Sequence, residues 1–272
     1  MDPIKGAAAL GAGAVAIGGT GYGVYSYATH DPMPTDYVVL AGSGDNVADT
    51  NKIGNLYGNY LVAPFGNSGN NNQKWWEWSF RRWQEDSKVS NFPLSDDFSK
   101  EKVVHAYKTS GETGDSNEKS LNKVCKSVFD KDKGDIDRNN DTGKTKEKLR
   151  NALWRYCSFF GEEPKTIQEV TGEDYGNNTN GKANETKYIG VKGNDKFWEA
   201  RNKEFYATTG TKSGSSATAN GVFKTEYDKN TSKQPVKEIR DICEESYGKN
   251  PTSDSSTYPT DDITKFCTLD GN

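Results

Sequence analysis

Apolar side chains recur along this chain at helical spacing, but only in a few short windows. Trp76, Phe80 and Trp83 lie at i, i+4 and i+7. Leu121, Val124, Cys125 and Val128 lie at i, i+3, i+4 and i+7. Leu149, Ala152, Leu153, Tyr156, Cys157 and Phe160 carry one stripe through about three turns. Such spacing keeps the apolar groups on one face of a helix, so each window predicts an amphipathic helix. A later set is shorter: Val236, Ile239, Ile242 and Cys243 follow Pro235, a residue suited to a first helical turn. Asn194 is placed to cap a helix holding Phe197 and Trp198, and Thr260 to cap a short one through Cys267. Between the windows, 66–72, 109–119, 130–145, 171–186, 208–221 and 248–259 are clusters of Gly, Asn, Asp and Thr that read as long polar loops, partly disordered.

The windows occur twice in the same order. Lys74-Trp75-Trp76-Glu77 matches Lys196-Phe197-Trp198-Glu199, and Trp83 matches Phe205. Leu121 to Cys125 matches Ile239 to Cys243, and Tyr156 to Phe159 matches Phe266 to Leu269. Ile53 and Leu56 match Ile167 and Val170 more faintly. The repeat divides the chain into a linker at 29–49, a first unit at 50–162 and a second at 163–272. The expected fold is mainly α: an N-terminal membrane helix followed by two tandem small helical bundles.

Gly6 to Ala28 carries no charge, and as a helix it spans roughly 34 Å, enough for a bilayer's hydrocarbon core. Lys5 precedes it, and no basic residue follows until Lys52. The positive-inside bias therefore puts the N-terminus in the cytoplasm and everything after Ala28 outside, as a single-pass protein held in membrane lipid by residues 6–28. Two other readings stay open: a signal peptide cut after Ala28, and a soluble segment. In the soluble reading, Gly11-Ala12-Gly13-Ala14-Val15-Ala16 fits a dinucleotide fingerprint, but no βαβ pattern follows it.

The four cysteines contain no C-x-x-C pair, and the two histidines, His30 and His105, have no ligand spacing to them, so no metal site is expected. Each unit has one cysteine in its middle helix and one in its last. The repeat favours Cys125–Cys157 and Cys243–Cys267 as disulfides, permitted if the chain is outside. Buried free thiols are the alternative. Asp137, Asn139 and Asp141 follow the start of a calcium loop, but Thr142 stands where the loop needs Gly. Trp75, Trp76 and Trp83 recur in the second unit and read as core; Trp78 is replaced by Ala200 and is the candidate exposed contact. Asn177, Asn184 and Asn230 stand in glycosylation sequons.

Composition narrows the function. A net charge of −4 with interleaved signs provides no basic patch, so nucleic acid is not an expected partner. A mean hydropathy of −0.92 and 32% hydrophobic residues allow only small packed units. No serine elbow, phosphate loop or metalloprotease helix is present, so no catalytic residue and no cofactor is singled out. The first expectation is a non-enzymatic surface protein contacting a host-cell surface component or displayed as antigen. The alternatives are an anchored extracellular hydrolase using carboxylates and a calcium-stabilised binding module.

The Lys5-Gly6-Ala7-Ala8-Ala9 start, the Lys-Trp-Trp-Glu block, the Val124-Cys125 and Ile242-Cys243 blocks and the aromatic-cysteine pairs near each unit's end carry a resemblance. The layout resembles the paralogous families of uncharacterised membrane-anchored surface proteins of haemotropic mycoplasmas. The resemblance implies anchoring and display at the extracellular face, with no known activity to carry over. This chain departs from the commoner pattern by holding two complete units.

Overall fold

A computed structural model of the chain describes residues 32–68, 71–137, 141 and 143–271. The run 6–28, its Gly11–Ala16 fingerprint, His30 and Asn139 lie outside them. Among the described residues, no helix is long and apolar enough to cross a membrane.

Met33–Asn272 forms one compact unit. It is mainly helical. Among the described residues the α-helices are α1 (Ile53–Tyr57), α2 (Gln73–Lys88), α3 (Asp115–Glu118), α4 (Leu121–Phe129), α5 (Thr145–Ala152), α6 (Asn180–Ala183), α7 (Asp195–Phe205), α8 (Val222–Thr231), α9 (Ile239–Tyr247) and α10 (Thr260–Cys267). Extended chain among these residues forms only isolated bridges. Helix α2 carries the first aromatic stripe, and α4 and α9 carry the cysteine-bearing stripes.

Several expected boundaries move. The stripe from Leu149 is not one helix: α5 ends at Ala152, a wider π-helical turn runs over Leu153–Cys157, and Ser158 is extended. Pro235 lies outside α9, whose N-cap is Glu238, and Val236 is exposed. Pro259, not Thr260, is the N-cap of α10. The windows expected as irregular loops contain α3, α6 and the 3-10 turns Lys133–Ile136 and Gly214–Ser216.

The matched blocks make matched bonds. In the first half, Val39 bridges Val62 and Leu61 bridges Ser158; in the second, Thr166 bridges Ile189 and Tyr188 bridges Thr268. The stretch expected as a linker thus supplies one of three extended segments. Leu40 N–H donates to Leu61 O (2.8 Å) as Ile167 N–H does to Tyr188 O (2.9 Å). Ile167 therefore corresponds to Leu40 rather than to Ile53. Ile53 instead corresponds to Asn180, for their amides donate to Lys131 O and Lys249 O respectively.

One asparagine closes each set of extended segments. Asn72 Oδ1 accepts from Val38 N–H (2.7 Å), and its Nδ2 donates to Val38 O and Ala63 O (both 2.8 Å). Asn194 Oδ1 accepts from Lys165 N–H (2.9 Å), and its Nδ2 donates to Lys165 O (2.9 Å) and Gly190 O (2.7 Å). A primary amide offers an acceptor and two donors in one plane, which suits a gap between two backbone strands. Asn194 does occupy the N-cap position of α7, but its side chain makes no capping bond. The indoles of Trp76 and Trp198 donate to the same carbonyls, Ala63 O (3.1 Å) and Gly190 O (3.0 Å).

Disulfides join Cys125 to Cys157 and Cys243 to Cys267, with Cα–Cα distances of 5.8 and 5.9 Å. All four cysteines are fully buried. The bridges span sequence separations of 32 and 24. Closing loops of that size stabilises by about 3–4 kcal/mol each in the chain-entropy model.

Asn72→Ala and Asn194→Ala should each cost about 2–4 kcal/mol, because each orphans buried backbone groups. Urea unfolding checks this, and an effect in one half alone would deny the equivalence. Cys125→Ala with Cys157→Ala should lower stability by about 3–4 kcal/mol in the same assay.

Candidate functional site

The two halves meet where their equivalent helices differ. Ser79 on α2 donates to Tyr156 O (2.7 Å). At the matching place on α7 stands Arg201, which donates to Phe266 O (2.7 Å) and Lys265 O (3.3 Å). The guanidinium is fully buried and reaches further, to Leu269 O (3.2 Å) and to the Tyr60 hydroxyl of the first half (2.6 Å). Its Nε donates to Glu204 Oε2 (3.0 Å). Tyr60 donates to the same oxygen (3.0 Å), and Asn59 Nδ2 to Glu204 Oε1 (2.6 Å). The buried charge is therefore paired and its donors are spent, which is what makes its burial tolerable. Burial raises the Tyr60 pKa, with Arg201 pulling the other way.

Apolar contact runs beside this network. Tyr60 lies tilted against Phe160 (5.1 Å between centroids), and both lie 6.3 Å from Phe197. Lys196 Nζ crosses to Phe159 O (3.0 Å) and Phe160 O (3.3 Å).

A cleft of about 990 Å³ opens along the junction. Asn55, Asn59 and Tyr60 line one side; Lys212, Thr264 and Asp270 line the other. Lys212 Nζ donates to Lys265 O (3.1 Å) and Asp270 O (2.8 Å). Burial, then repulsion from Arg201, pushes its pKa down to about 7, while Glu204 and Asp270 pull upward.

The residues singled out from sequence fall elsewhere. Trp78 is not an exposed contact: it is 7% exposed, and the Arg82 guanidinium covers its ring at 4.8 Å. Helix α2 buries Trp75, Trp76, Trp78, Ser79 and Trp83, so more than one face is covered. The calcium reading loses a ligand, because both oxygens of Asp141 serve α5, accepting from Thr145 N–H (2.9 Å) and Glu147 N–H (2.8 Å). Despite desolvation, these amides hold the Asp141 carboxyl below its usual range. Among the described residues, no group of three or more His, Cys, Asp or Glu is placed to hold a metal ion. His105 Nε2 lies 3.2 Å from Ser116 Oγ. Asn177 and Asn230 are exposed, while Asn184 is half-buried and donates to Asn180 O (3.1 Å).

Tyr60, Arg201, Glu204 and Lys212 were not singled out. A signal existed for two of them: Arg201 replaces Ser79, and Glu204 replaces Arg82, inside an otherwise matched block. Lys212 sits in the polar window 208–221, with nothing to mark it.

Glu204→Ala removes the only carboxylate paired with Arg201 among the described residues, and should cost about 3–5 kcal/mol in guanidinium unfolding. Tyr60→Phe should cost less, about 1–2 kcal/mol, and the two effects should not add.

No family model matches the chain, and neither does any curated protein or solved structure.

Proposed function

We propose that this chain is a non-enzymatic protein displayed on the outer face of a cell membrane, anchored through residues 6–28 with the region after Ala28 outside. The observation that carries this reading is the pair of buried disulfides, one in each half at matching places. Bridges of that kind persist in oxidising surroundings, which the outer face of a cell offers and the cytosol does not. The resemblance to the surface-protein families of haemotropic mycoplasmas points the same way. Contact with a host-cell surface component, or variation of displayed antigen, is the role that fits.

The arrangement of the variable parts supports display. The bridging segments, asparagines and disulfides recur in both halves, whereas 89–120 and 206–238, nearly equal in length, differ in content. Changes in those connections leave the recurring bonds untouched. The conspicuous carboxylates are occupied structurally: Asp86 by Arg155 and Tyr156, Glu204 by Arg201 and Tyr60, Asp141 by α5. That weighs against a carboxylate hydrolase as the second reading.

Protease or an impermeant biotin ester applied to intact cells should reach the region after Ala28. Complete protection of that region would overturn the proposal. A non-reducing peptide map of freshly isolated protein should show the two linked pairs; four readily alkylated thiols would remove the observation on which it stands.

A further inference from the structure

We propose that Met33 is an oxidation site whose product is held in place: when a hydroperoxide turns its thioether into a sulfoxide, Lys196 on α7 donates to the new oxygen. This goes beyond display and does not depend on it.

The sulfur chemistry open to this chain comes down to one atom. All four cysteines are tied in buried disulfides. Among the described residues, Met33 therefore carries the only sulfur outside a disulfide. It is half-buried, packed at the edge of the core and still reached by solvent. A dissolved peroxide meets it without any unfolding.

The second half supplies the partner. Lys196 Nζ donates to Phe159 O (3.0 Å) and Phe160 O (3.3 Å), and it lies 4.0 Å from Met33 Sδ. An ammonium has three N–H groups, and a thioether is a weak acceptor. Two carbonyls take two of those groups, and the third is left with the sulfur. A sulfoxide oxygen projects one bond from the sulfur, which brings a stronger acceptor into ordinary hydrogen-bond distance of Nζ. Lys196 is exposed as a residue, but burial at its nitrogen, then repulsion from Arg82, lowers its pKa while Glu162 raises it. A further acceptor holds the ammonium's proton more firmly.

The contact joins two parts of the fold. Tyr37 stacks on Phe159 (5.6 Å between centroids), and Val38 is clamped by Asn72. The chain from Tyr37 onward is thus fixed to the first half, whereas Met33 reaches α7 of the second. Oxidation of a packed methionine usually disrupts its surroundings. Here it strengthens a tie between the N-terminal segment and the other half. Because a sulfoxide is chiral, only one epimer aims its oxygen at Nζ.

The step is an oxygen transfer. A sulfur lone pair attacks the outer oxygen of the peroxide, and the O–O bond breaks. The departing oxygen takes the outer oxygen's proton and leaves as water or an alcohol. Sulfur gives up an electron pair and the peroxide gains it. Nζ meets the oxygen during the transfer, so the epimer that faces it also forms faster.

The native chain, disulfides intact, is treated with dilute hydrogen peroxide at neutral pH, and the oxidised peptide is mapped by mass spectrometry. The epimers are counted with the two methionine sulfoxide reductases, each of which reduces one of them. Met33 oxidised in the folded chain should show one epimer in excess by roughly threefold, the size of one modest hydrogen bond. The same chain oxidised in urea should give both equally. Thermal unfolding of the oxidised chain should come about 1–3 °C above that of the unoxidised one. Lys196→Leu removes the donor, so its epimers should form equally and its oxidation should lower the midpoint. Equal epimers in the folded wild-type chain would overturn the proposal, as would a wild-type midpoint that falls on oxidation. An excess that persists in Lys196→Leu, with both disulfides mapped intact, would overturn it too; if that variant does not fold, the comparison of folded and urea-treated wild type decides alone.

Discussion

The carbonyl of Cys157 accepts from Val62 N–H (3.0 Å) while its sulfur is bonded to Cys125, and Cys267 is held in the same two ways by Ile189 (2.9 Å) and Cys243. At this residue the chain stops being helical and becomes extended, inside the core. The last carbonyls of any helix lack partners within the helix, and buried ones must find them elsewhere. Here they find Ser79 or Arg201, Arg82 or Lys212, and the amide of the inner segment. The disulfide holds the middle helix against the same spot. Helix packing, extended segments and the cross-link therefore depend on one another, and neither half offers an obvious place to loosen one alone.

The halves differ where they touch. In the first, Arg82 lies over Trp78, four residues back, and caps Arg155 O and Gly161 O. In the second, the corresponding pair is Glu204 and Ala200. A carboxylate gains nothing from the negative face of an indole, whereas a guanidinium does. Both replacements belong to one change. Glu204 turns to Tyr60 and Asn59 of the other half, and Arg201, in the place of Ser79, serves the Phe266 carbonyl and also reaches Lys265 O, the counterpart of the Arg155 carbonyl that Arg82 serves in the first. The result is a polar junction that requires specific partners on both sides, which favours one arrangement of the halves over a merely adhesive one.

This also explains what sequence reasoning reached and what it missed. The aromatic and cysteine stripes were readable, because a buried helix face imposes its period on residue types. The cysteine pairing followed from the order of the repeats. Trp78 was misread, because a residue that changes between copies suggests exposure. Here it reports a different neighbour instead. The roles of Asn72 and Asn194 were hidden for another reason: an asparagine ahead of a helix looks the same whether its amide caps that helix or fills a gap between strands. Val38 to Leu40 looked like linker, because one short bridge leaves too few residues for a period of two to show.

A chain with so few apolar residues leans on large buried side chains, several of them tied by polar bonds. The most deeply buried side chains include Trp75, Trp76, Trp154, Tyr156, Tyr188, Tyr247 and Arg201. Several are anchored by a bond to backbone, as Trp76 is to Ala63 O, Tyr247 to Ile189 O (2.8 Å) and Arg201 to Phe266 O. Such a core depends on particular atoms more than on apolar volume, so it tolerates substitution poorly at a small set of positions. Outside that set, Asn, Ser, Thr and Gly in the connections are held mainly by their own turns, as Asn250 and Asp254 hold the turn before α10. Constraint is thus concentrated in a cross-linked interior, and the connections are held mainly by local turns.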